Sequence, residues 1–234
     1  MEALTFSQGV KASLPTALGY VSIGIACGVV GASSGISPLE MGLMSALVYG
    51  GSAQFIMCAL LAAHAPVSSI VLTVFLVNLR NFLMSLHATT IFEKASLLDG
   101  IFIGSLITDE SYGVLLNTYT HQKRIAPIWM HGNNVTGYIT WVLSVFISTI
   151  LGQYIPNPEQ FGLDFALVAM FVAIFAAQFE AIVITTTVKK IVAVLGAVSL
   201  SYFVLASLVS ESMAVLLATL IGCFVGVSYH ERVK

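Results

Sequence analysis

From residue 14 to residue 230 the chain is a near-continuous succession of apolar runs. Each is about as long as the roughly 20 helical residues that cross a bilayer core. The runs occupy 14–33, 40–63, 67–91, 97–118, 127–152, 164–188, 191–209 and 212–230. A soluble chain would carry about a quarter charged residues. Here 9% of 234 residues are charged and 58% are apolar, too much apolar surface for one small core to hide. The net charge of −2 offers no basic patch for nucleic acid. Apolar residues fill the runs instead of alternating, which disfavours barrel strands. The reading is an all-α polytopic membrane protein of about eight transmembrane helices, one domain over 1–234. The count falls to seven if no turn forms near Val209–Ser212.

Punctuation sets the boundaries. Pro38, Pro66 and Pro127 each stand near the start of a run, where a helix tolerates proline. The stretch through Pro15 reads as a short amphipathic lead-in without a signal-peptide pattern. Cys27, Cys58 and Cys223 lie in apolar runs without metal-ligand spacing and read as inert thiols. With a cytoplasmic N-terminus and eight spans, Lys11, Lys123, Arg124, Lys189, Lys190, Arg232 and Lys234 all fall inside, and only Lys94 falls outside. Both termini are therefore expected in the cytoplasm and the Pro156–Glu159 loop outside. Ser52-Ala53-Gln54-Phe55 recurs as Ala176-Ala177-Gln178-Phe179. This suggests repeat halves 14–118 and 127–230, parallel with four spans each and inverted if a re-entrant segment forms at the Gln motifs.

Polar residues inside the runs carry the functional signal. Gly24, Gly28, Gly31 and Gly35 share one helix face and suit close helix packing. Gly50 and Gly51 weaken the second run by about 1 kcal/mol each and are the expected helix break, beside Gln54. Unwound backbone at membrane depth is tolerated only against protein or a water-filled cavity. Asn78 and Arg80 sit in the middle of the third run. An arginine there costs about 2.5–3.5 kcal/mol unless it has a partner. It either staples two helices through an acid or holds an anionic group such as a carboxylate. Asp109 and Glu110 sit mid-run in the fourth span, so one acid can pair with Arg80 while the other stays free for a proton. Glu180 follows Gln178 in the sixth run, and His131, Asn133 and Asn134 either line a polar pathway or are satisfied internally. The candidate substrate- or ion-binding residues are Gln54, Asn78, Arg80, Asp109, Glu110, Gln178 and Glu180. No residue is assigned to catalysis, metal binding or a cofactor. Without nucleotide or hydrolase motifs, a transporter must draw on gradients. The rival reading is a channel-like or scaffolding protein whose charges only staple helices.

Gly19-Tyr20 with its following glycines, Tyr49 to Phe55, Val77-Asn78-Leu79-Arg80, Thr108-Asp109-Glu110-Ser111 and Gly162-Leu163-Asp164-Phe165 occur in order along the chain. In this the chain resembles the AzlC-type family, the large subunit of the branched-chain amino-acid exporter. The resemblance implies a permease of a bacterial or archaeal plasma membrane that exports leucine, isoleucine or valine. It also implies a small hydrophobic AzlD-type membrane subunit as partner. One departure stands out: Asn81 follows the Asn-Leu-Arg run where the family pattern leads one to expect a basic residue such as histidine.

Overall fold

The computed structural model describes residues 4–155, 186–209 and 211–231, together with Val172, Phe175, Ala176, Phe179, Glu180, Ile182 and Val183. Every regular element among the described residues is a helix. The chain divides into two compact units, Met1–Val168 and Ala169–Lys234.

In the first unit three helices are long and apolar enough to cross a membrane: α1 (Phe6–Ser33), α4 (Val67–Ile91) and α7 (Pro127–Gly152). At 1.5 Å per residue each spans more than the roughly 30 Å hydrocarbon core. Helix α1 starts well before the first apolar run, at a capping box in which Thr5 and Gln8 satisfy each other's backbone N–H. The segment expected as a lead-in, including Lys11 and Pro15, is thus part of the helix. Gly35, at φ 78°, ends α1 with the Ile36 N–H bonded back to the Gly31 carbonyl, a left-handed stop that favours glycine.

The expectation that 40–63 and 97–118 form single spans needs correction, because both runs fold back on themselves. The second run gives α2 (Pro38–Val48) and α3 (Gly51–Ala62). In a continuous helix Met41 and Cys58 would stand about 25 Å apart. Their sulfurs are 3.8 Å apart, and Gln54 Nε2 donates to Ser45 Oγ at 2.8 Å, so α3 returns alongside α2. The turn is Tyr49, left-handed at φ 43°, followed by extended Gly50, where the break was expected.

The fourth run gives α5 (Leu97–Ser105) and α6 (Asp109–His121), broken at 106–108 where no break was expected. His131 meets Asp99 and Asn134 meets Ile103, so α5 runs parallel to α7. Arg80 meets Asp109 and His87 meets Tyr112, so α6 runs parallel to α4. Helices α4 and α7 run in opposite directions, which makes α5 and α6 a second hairpin.

The ends of the unit can be told apart by packing. Leu4, Phe92, Ile125 and Trp129 belong to one apolar cluster, which places the N-terminus, the end of α4 and the start of α7 at the same end. Gly31 against Met41, and Gly152 against Val29, mark the other end. Helices α1 and α7 are parallel and packed backbone to backbone. Gly9 abuts the Trp129 carbonyl and Gly132 abuts the Phe6 carbonyl, while Gly24 lies at Ser144 and Gly28 at Ser148. Without a hydrophobic force between helices in lipid, such small-residue contacts supply the association. The expected glycine face therefore serves packing: Gly24 and Gly28 on α7, and Gly31 on α2.

The second unit contains α8 (Val188–Ala206) and α9 (Glu211–Glu231). Gly222 meets Val198 and Gly226 meets Val194, so the two are antiparallel. The last two apolar runs are separate helices joined through Ser207–Val209. Gln178 and the Pro156–Glu159 loop lie outside the described residues.

Candidate functional site

The two hairpins enter the first unit from opposite ends, and both tips reach mid-height. Tyr20 and Asn78–Asn81 lie near the middles of α1 and α4, and Tyr138 and Trp141 near the middle of α7. The tip of α2–α3 sits among them: the Tyr49 ring packs edge-on against Tyr138, centroids 4.9 Å apart. A Cβ on Gly50 would lie 3.0 Å from Asn78 Oδ1, and one on Gly51 3.0 Å from the Trp141 ring, so the tip packs tightly on both side chains. The tip of α5–α6 reaches the same level, where the Tyr20 hydroxyl lies 2.6 Å from Thr108 Oγ and donates to Glu110 Oε2 at 2.8 Å.

Broken helices free carbonyls and N–H groups that lipid cannot satisfy. Helix α7 supplies several partners. The Tyr138 hydroxyl donates to the Ala46 carbonyl and Asn134 Nδ2 to the Ile103 carbonyl, both in last turns, while Asn133 Nδ2 ties α7 to the Ser111 carbonyl in the first turn of α6. From α4, Ser85 donates to the Gly104 carbonyl. Thr108 and Ser111 cap α6 reciprocally, with Asp109 and Glu110 in its first turn, whereas Gly50 brings no side chain to cap α3. One half-helix N-terminus at the midplane is therefore acidic, and the other keeps its own partial positive charge.

Between them lies the ion pair. Arg80 Nη2 is 2.6 Å from Asp109 Oδ2, with the two side chains 33% and 16% exposed. The pair is used on one side only. Arg80 Nε, Asp109 Oδ1 and Asn81 Oδ1 are buried without a hydrogen-bond partner among the described residues. Unpaired buried donors and acceptors cost about 1–3 kcal/mol each, so the arrangement favours a partner carrying both functions.

Arg80, Asp109, Glu110, Asn78, Gly50 and Gly51 thus come together at the level of the tips. Gln54 is fully buried one turn into α3, with its amide spent on Ser45 and on Trp141 Nε1, 2.6 Å away. It holds the hairpin shut. Glu180 is exposed and belongs to the second unit. His131, Asn133 and Asn134 pin the second hairpin to α7. Tyr20, Tyr49, Thr108, Tyr138 and Trp141 also border the site, and the sequence singles out none of them for binding, although Tyr20, Tyr49 and Thr108 stand in the motifs that carry the resemblance. The Thr108-x-x-Ser111 capping signature was the available signal for one of them.

Comparison with known proteins agrees with this chain being a membrane protein. The inner membrane protein YgaZ of Escherichia coli is 28% identical over 182 residues, covering 75% of this chain and 74% of its own length. An uncharacterized membrane protein of Haemophilus influenzae is 30% identical over 179 residues, 70% of this chain and 67% of its own. The branched-chain amino acid transport protein AzlC of Bacillus subtilis is 27% identical over 180 residues, 74% of this chain and 67% of its own. No solved structure matches the chain. The AzlC protein family matches over residues 15–155, the segment that builds both hairpins, α4, α7 and most of α1, and the chain belongs to that family.

Proposed function

We propose that the protein is a secondary transporter that exports branched-chain amino acids, driven by an ion gradient and working with a small hydrophobic AzlD-type subunit. The observation that carries this reading is the half-used Arg80–Asp109 pair at the level that both hairpin tips reach inside the membrane. A zwitterion matches that arrangement. Its carboxylate takes the free Arg80 N–H and the uncapped end of α3, and its ammonium group takes Asp109 Oδ1 with Glu110 nearby. Arg80 balances one of the two acids and a zwitterion adds no net charge, so the site has room for one more positive charge, a coupling cation. The aliphatic specificity follows the Bacillus subtilis relative, a branched-chain amino acid transport protein. Efflux of labelled leucine from preloaded proteoliposomes containing both subunits tests it. Leucine, isoleucine and valine should exchange, whereas isoamylamine, which lacks the carboxylate, should not compete. Equal competition by the amine would refute the zwitterion site.

Orientation follows from the basic residues. In the first unit Lys11, Lys94, Lys123 and Arg124 all belong to the end shared by the N-terminus, while 33–40 and 62–67 carry no Lys or Arg. Folding the second run back moves Lys94, the lone exception among eight spans, to the basic end. That end is the cytoplasmic one by the positive-inside rule, and the membrane is the bacterial or archaeal plasma membrane. An impermeant maleimide added outside should label H64C and leave K94C untouched. The eight-span arrangement predicts labelling at K94C.

A further inference from the structure

The first six helices contain an internal relation at a different spacing from that of the two Gln motifs. Ser37 and Ser96 are each the N-cap of a hairpin's first helix, with Glu40 and Asp99 three residues on. Ser52 and Ser111 occupy corresponding places in the second helix of each hairpin. Both serine pairs are fifty-nine residues apart (37 to 96, 52 to 111). Adding that offset to the bounds of α1, α2 and α3 lands within two residues of those of α4, α5 and α6. The directions are opposite: α1 leaves the basic end and α4 returns to it, and each hairpin enters from the end its long helix has reached. Residues 6–62 and 67–121 are an inverted pair.

The pair is not symmetric in packing. At the basic end a cavity of about 210 Å³ opens between α4 and α5, bordered by Ser85, Phe92, Ser96, Gly100 and Gly104. Ser85 at its border donates to the Asn81 and Gly104 carbonyls, and Asn81, one turn deeper on α4 and next to Arg80, carries a buried Oδ1 without a partner among the described residues. At the other end the space between α1 and α2 is filled. The residue matching Gly100 is Met41, fully buried against Gly31 and Cys58, with Cys27 fully buried as well.

We infer that these are the two mouths of one solute path. The α4–α5 cavity is the mouth open at the basic end, and the Met41–Cys58 packing is its inverted counterpart held shut. Exchange of the two packings carries the midplane site from one side to the other. Inverted repeats are a common basis for such alternation. The inference rests on the transporter reading, but its test needs no solute. In a background lacking Cys27 and Cys223 (C27A/C223S), Cys58 reports the shut mouth, and S85C, added to C27A/C58S/C223S, reports the open one. Impermeant maleimide is applied from each side of oriented vesicles.

The double variant M41G/G100M swaps the plug. Cys58 should then react at least about tenfold faster from the non-basic side, and S85C should slow by a comparable factor from the basic side. A faster Cys58 with S85C unchanged would make Met41 a mere packing residue and overturn the inference, as would no change at either position. If the double variant does not fold, G100M decides alone, since a Cβ at Gly100 meets nothing within 4 Å. It should speed Cys58 at the far mouth, and an unchanged Cys58 rate refutes the coupling. Reciprocal labelling in a protein that moves no leucine would retain the two mouths and discard only the solute assignment.

Discussion

Replacing Gly28 by leucine is expected to eliminate most folded protein, whereas the same change at Gly19, nine residues earlier on the same helix, should be tolerated. A Cβ on Gly28 would collide with the Ser148 side chain and stand 2.6 Å from the Val145 carbonyl oxygen and 2.7 Å from the Thr149 nitrogen. Two of these three neighbours are backbone, so no rotamer change relieves the contact, and α1 and α7 must separate along their shared length. Overpacking commonly costs about 1–3 kcal/mol and occasionally more. Here the separation also removes the α1 side of the site, because Tyr20 reaches Thr108 and Glu110 only while α1 is in place. Gly19 is exposed, and a Cβ there meets nothing within 4 Å. Thermal unfolding of detergent-solubilised protein, followed by size exclusion, checks the pair. Comparable stability of the two variants would refute the close α1–α7 packing.

What the sequence disclosed and what it hid have the same physical origin. Apolarity, proline and glycine act locally, so the positions of the runs, the three proline starts and the Gly50 break were all legible. Whether an apolar run crosses or folds back is not local, because a run of some 24 residues makes one span or two half-helices at equal hydropathy. The Thr108–Ser111 capping box, lying inside an apolar run, was the local sign that the fourth run restarts there. Lys94 was a second sign, out of place only while the runs were counted as spans. Arg80 and Asp109 were legible because isolated charges in lipid are expensive, and their pairing at 2.6 Å is the relief that cost demands. The role of Gln54 was not legible. Its partners Ser45 and Trp141 come within reach only after α3 has folded back, and a tryptophan in an apolar run reads equally well as lipid-facing. Tyr49 was hidden for a related reason: a left-handed backbone at a tyrosine is set by the fold and has no sequence signature.

Substitution of Arg80 by methionine is expected to lower leucine affinity by about 30-fold to several thousand-fold. Truncating one member of a buried hydrogen-bonded charge pair costs about 2–5 kcal/mol, and each 1.4 kcal/mol is tenfold in binding. Methionine is easier to insert than arginine, so the protein should still reach the membrane. Loss of binding in this variant alone would not separate recognition from stapling, since Asp109 is left without its cation in either case. Removing both charges does separate them, because a structural pair replaced by apolar residues is often neutral or stabilising. The decisive measurement is therefore equilibrium binding of labelled leucine to purified wild-type protein, R80M and R80M/D109L. The remote pair variant D99N serves as control, and thermal unfolding is recorded for each. A solute site predicts that R80M/D109L regains wild-type stability yet binds no leucine, while D99N binds normally. Leucine binding by R80M/D109L within about threefold of wild type would show that Arg80 and Asp109 only hold helices together.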